Sequence, residues 1–90
     1  MAQIVWTDAA LADLQSIRSY IAQFNPAAAH RIAVHLVAAS NSLAELSQRG
    51  RPIEPANREL VAIWPYVIRY RVEGNRVLIL RIRHGKRRPE

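Results

Sequence analysis

The chain has 90 residues, half of them hydrophobic, and carries 13 Lys and Arg against 7 Asp and Glu, a formal net charge of +6. That length supports one domain, residues 1–90, with enough apolar content for a core that needs no staples; the absence of cysteine excludes disulfides and thiolate zinc sites. No run approaches the roughly 20 apolar residues of a membrane helix. Asp8 and Asp13 also interrupt the place where a signal peptide would be apolar, so the expectation is a cytoplasmic protein with no membrane partner.

QIVW, residues 3–6, is short, β-branched and aromatic, and reads as a strand. Thr7 supplies an N-cap hydroxyl and Asp8 a negative charge for the first turn of a helix. Leu11, Leu14, Ile17, Ile21 and Phe24 recur at spacings of three and four, which predicts a helix over residues 8–24. Asn25-Pro26 marks a boundary and a new N-terminus. A second helix is expected to run to Arg49, with Ala29, Ile32, Leu36, Ala39, Leu43 and Leu46 on one face and Gly50 as its stop. The short break makes the pair an antiparallel hairpin.

Residues 51–57 hold two prolines and no period, and read as a loop. The period then changes from 3.6 to 2. Strands are predicted over residues 58–64, 66–73 and 76–84, with Pro65 breaking the first and Gly74-Asn75 forming a two-residue hairpin turn before the last. The order is strand, helix, helix, strand, strand, strand. This is an α+β fold in which the helical hairpin covers one face of a mainly antiparallel sheet.

Strict alternation sorts the faces. Tyr66, Ile68, Tyr70, Val72, Leu78, Leu80 and Ile82 are expected to meet the helices. Val67, Arg69, Arg71, Val77, Ile79, Arg81 and Arg83 are expected on the open face. Charge points the same way. Residues 1–57 balance four arginines with four acids, whereas residues 58–90 hold nine cations against three acids, and every cation but Lys86 is arginine. Arginine offers a planar fork suited to carboxylate and phosphate. The open face is therefore either a solvated basic surface or the contact for an acidic or polyanionic partner.

Several chemistries are absent. There is no Gly-rich phosphate loop and no HExxH. His30, His35 and His84 have no metal-ligand spacing, so neither metal nor cofactor is expected. His30 and His35 lie five apart on a helix and read as surface residues. The serines lack a neighbouring base. His84 closes the last strand among cations. It is either a strand-end residue bonding the backbone or a general acid or base for RNA cleavage, with arginines holding the phosphate. Trp64 and Tyr66 flank Pro65 and are expected to close the end of the core, the alternative being an exposed contact patch.

Taken in order, W-T-x-x-A-x-x-D-L at residues 6–14, Ile17 with Tyr20-Ile21, and Pro26, Ala29 and Arg31 form the first half of a pattern. G-R at 50–51, R-E-L at 58–60, Y-V-I-x-Y-R-V at 66–72 and V-L-I-L-R-I-R-H-G-K-R at 77–87 complete it. The chain so read resembles the RelE/ParE superfamily of bacterial type II toxins over nearly its whole length, more closely the ParE branch. The resemblance implies a cognate antitoxin whose acidic C-terminal segment wraps the toxin, and contact with operator DNA only through the antitoxin complex. For the ParE branch it implies DNA gyrase as target and no enzymatic activity. For the RelE branch it implies a ribosome-dependent mRNA endonuclease, for which Arg58, Arg69, Arg81 and His84 would be the catalytic set. The chain has one lysine and no tyrosine after Tyr70, which departs from the RelE pattern. Arg69, Arg71, Arg81, Arg83, Lys86 and Arg87 are the residues expected to bind antitoxin or target.

Overall fold

Strand β1 (Gln3–Trp6) leads directly into helix α1 (Asp8–Ala22), and α2 (Pro26–Ser42) follows after a three-residue break. The computed structural model describes residues 1–85. Strands β2 (Arg51–Ile53), β3 (Asn57–Ile63), β4 (Tyr66–Glu73) and β5 (Arg76–His84) complete one sheet in the order β1-β5-β4-β3-β2. Only β1 and β5 run parallel. The helical hairpin packs on one face, as expected.

Both helix starts form as their capping residues dictate. Thr7 Oγ1 accepts from the Ala10 amide and Asn25 Oδ1 from the Ala28 amide. Their ends differ from expectation. α1 stops at Ala22, leaving Phe24 72% exposed with its ring edge-on to Tyr20. The buried stripe of α1 starts at Ala10 and runs through Leu14 and Ile17, and Leu11 faces outward. α2 stops at Ser42, seven residues short of Arg49. The segment after it is pulled off the helical path by tertiary bonds. Ala2 N–H donates to Ala44 O, and the buried Tyr70 hydroxyl donates to Ser47 O at 2.7 Å while accepting from Gly50 N–H at 2.8 Å. Leu43 stays in the core, but Leu46 is exposed. A Cβ at Gly50 would lie 2.7 Å from Glu59 O and 2.8 Å from the Tyr70 ring, so glycine is needed for this close approach and not as a helix stop.

Arg51–Ile53, read as loop, is a fifth strand. It pairs antiparallel with β3, Pro52 opposite Arg58. A proline is tolerated there because an edge strand can leave one donor side unpaired. Gly74 turns the β4–β5 hairpin at φ +58° with no positive φ at Asn75, the glycine-first pattern of the predicted turn.

One irregularity overturns half of the expected face assignment. Arg69 pairs with Arg81, but Tyr70 pairs with Ile79, so Leu80 is an extra residue on β5. This bulge flips the parity of the strand. Val77 and Ile79 are fully buried against the helices, joining Ile68, Tyr70 and Ile82 in the core, while Leu78 and Leu80 pass to the open face.

The Tyr70 clamp ties β4 to the segment after α2. Tyr70→Phe removes a hydroxyl that accepts from the buried Gly50 amide and donates to the half-buried Ser47 carbonyl. We expect a loss of about 2 kcal/mol, read as a lower urea midpoint at unchanged slope. An unchanged midpoint would show that the clamp does not stabilise the fold.

Candidate functional site

The open face is built in rows that the strand register defines. Glu59 on β3 lies opposite Arg69 on β4, which lies opposite Arg81 on β5. Val61 lies opposite Val67, which lies opposite Arg83. Arg71 is paired with Leu78. Side chains directly opposite one another share a face, so Arg69, Arg71, Arg81 and Arg83 are placed on the open side as predicted.

Most of these arginines are already bonded. Arg69 Nη2 and Nε donate to Glu59 Oε2 at 2.9 and 3.3 Å, and Arg51 stands 3.7 Å from the other oxygen of Glu59. Arg71 Nε donates to Asn57 Oδ1 at 2.9 Å and lies 3.8 Å from Glu73, which also faces Arg76. Arg81 reaches round the free edge of β5 to helix α1, donating to both oxygens of Asp13 at 2.8 and 3.1 Å. The hydrogen bonds and then the charge of Asp13 hold the Arg81 pKa above its ordinary value, so it stays cationic in any working range. The side chain of Arg83, half-buried, makes no ion pair or hydrogen bond among the described residues. Lys86 and Arg87 lie outside the described residues.

The four residues of the nuclease set do not converge. Arg58 and His84 pair with Tyr70 and Tyr66, on the helix-covered face, whereas Arg69 and Arg81 belong to the open face. Arg58 donates to Gly50 O at 2.7 Å and so holds the segment after α2. His84 sits edge-on to the Tyr66 ring, centroids 5.6 Å apart. His30 and His35 are exposed on α2, as expected. A shallow cavity of about 240 Å³ lies between the helices, lined by Arg18, Ser19, Ala22, Pro26, Ala29 and His30, away from the sheet.

Trp64 and Tyr66 part company. Tyr66 packs on the core as expected, but Trp64 is 60% exposed and laid over Gly85, where a Cβ would come within 3.0 Å of its ring. Gly85 N–H donates to Pro65 O across this turn. Sequence reasoning also missed Asp13, Asn57 and Glu59 as partners of the arginines. Asp13 and Arg81 are 68 positions apart, and nothing local links them.

A helical hairpin on one face of a five-stranded sheet, with an arginine-rich face left open, is the arrangement that the resemblance to RelE/ParE-type toxins implies. The chain belongs to the ParE toxin family of type II toxin–antitoxin systems. A family model described as "ParE toxin of type II toxin-antitoxin system, parDE" matches residues 4–89. The chain is 56% identical over 87 residues to "Toxin RelE2" of Caulobacter vibrioides, covering 97% of this chain and 99% of that one. It is 40% identical over 85 residues to "Putative toxin Y4kP" of Sinorhizobium fredii, covering 92% and 88%. A solved structure described as "Chromosomal ParDE TA system from P. aeruginosa" superposes with a TM-score of 0.88 at 31% identity, over 96% of this chain and 98% of that one. The superfamily and fold expected from the sequence are thereby borne out.

Asp13 also accepts from the Ile82 amide at 2.9 Å. Asp13→Ala should therefore lower stability by about 1–3 kcal/mol and speed hydrogen exchange at Ile82. Asp13→Asn keeps a carbonyl acceptor and should restore much of that protection. Equal exchange in all three proteins would show that Asp13 does not hold the strand.

Proposed function

We propose that this protein is a growth-inhibiting toxin that acts in the cytoplasm on DNA gyrase and is neutralised by the acidic C-terminal segment of a cognate antitoxin. The observation that favours gyrase over RNA is the split of the nuclease set. Phosphoryl transfer needs a proton-transfer group and charge-stabilising groups converging on one phosphate. Here Arg58 and His84 sit on the opposite face from Arg69 and Arg81, and those three arginines are bonded within the protein. The match to the ParE family supports the same reading.

The alternative is a RelE-like ribosome-dependent mRNA endonuclease. It is kept in view because two relatives from Caulobacter vibrioides bear the names RelE2 and RelE1. The two readings separate in one pair of assays. Purified protein is expected to accumulate gyrase-linked cleaved plasmid while leaving mRNA in a translation extract intact. Cut mRNA that becomes intact with His84→Ala, in a protein that still folds, would reverse the assignment. Expression without antitoxin is expected to arrest growth, and unimpeded growth would refute both.

A further inference from the structure

Three of the four arginines that first suggest a polyanion surface are bonded within their own chain. Glu59 holds Arg69, Asn57 and Glu73 hold Arg71, and Asp13 draws Arg81 round the sheet edge. The corner at the Pro65 end differs. The row Val61–Val67–Arg83 crosses three strands there, with Val61 56% exposed. Trp64 lies at the same corner, braced on Gly85 two residues beyond Arg83 and mostly exposed. A braced tryptophan loses little freedom when covered, and an arginine beside apolar neighbours gains most from a carboxylate. Tryptophan and arginine are also the types that dominate the energy of protein contacts.

We infer that Val61, Trp64 and Arg83 form the anchor of a protein-docking surface, and that its occupant is an acidic, apolar segment of the cognate antitoxin. The inference rests on the toxin–antitoxin reading and adds the place of contact. Charge selects the occupant. The chain carries +6, so a second copy would bring like charges together. A nucleic acid strand needs a continuous track of available cations along its backbone, and here the neighbouring row is paired internally. A segment with one apolar anchor and one or two carboxylates matches an exposed indole at the same end of the sheet as an arginine whose side chain lacks an acid among the described residues.

The test compares wild type, Trp64→Ala, Trp64→Phe, Arg83→Glu and Arg76→Glu for affinity to the purified cognate antitoxin, with thermal unfolding as a check of folding. Trp64→Ala and Arg83→Glu should each weaken binding about 30-fold or more. Arg76→Glu makes the same charge change at the far end of β5 and should stay within about twofold. The fluorescence difference between wild type and Trp64→Phe isolates Trp64, and it should shift to the blue when antitoxin is added. Unchanged affinity in the first two variants, equal loss in Arg76→Glu, or no spectral shift would overturn the placement while leaving the toxin reading intact. Wild type that binds a short single-stranded RNA more tightly than antitoxin, with loss of RNA binding in Trp64→Ala, would overturn it in favour of a nucleic acid. Wild type that does not bind antitoxin at all would overturn the toxin–antitoxin reading itself.

Discussion

Strand β5 lies between β1 and β4 in the sheet, yet its neighbour β1 ends opposite Ile79. Everything else in the fold accommodates that shortfall. From Leu80 onward one edge of β5 would show bare amide and carbonyl groups beside the core, where an unmet hydrogen bond is costly. Thr7 closes the gap first, its hydroxyl shared between Ile79 O and Leu80 O while the same oxygen caps α1. Asp13, two turns into that helix, takes the Ile82 amide. Helix α1 thus replaces β1 as the lateral partner of β5. The bulge at Leu80 falls where the exchange takes place.

The same exchange shapes the electrostatics. Because Asp13 stands at the edge of the strand, the guanidinium of Arg81 is tied to it at the border of the open face. Glu59 neutralises the adjacent position from the other side. Pairs this exposed contribute little to stability, and their larger effect is on what an incoming ligand meets. It finds a central band with its charges met and a corner where an arginine and a tryptophan stand beside a valine.

What the sequence made legible followed from local rules. Helix starts were readable because Thr7 and Asn25 act on amides three residues away. The β4–β5 hairpin was readable because Gly74 sets its turn. The order of elements was readable from the change of hydrophobic period. What failed depended on distant partners. The end of α2 is decided by Tyr70, which binds Ser47 and Gly50 from 23 and 20 residues away, against a sequence that continues to favour helix. The strand at Arg51–Ile53 carries no alternation, because a three-residue edge need bury only one side chain. The bulge has no signature in VLILRIR, a run in which either parity gives apolar residues for the core. For the candidate site, residue types were legible and availability was not. Four arginines could be assigned to one face, but which of them had acids nearby depended on register and on helix α1.

Pro52 gives the outer rim of the sheet a further property. β2 is the exposed border, three residues long, with a proline at its centre opposite Arg58. A bare strand border recruits other chains by backbone pairing, and a residue without an N–H removes one rung of any such ladder. Arg51 beside it adds charge that discourages stacking of like molecules. For a toxin of a toxin–antitoxin system, this bears on the chain when no antitoxin is bound to it. A blunted rim of this kind disfavours edge-to-edge pairing of one chain with another.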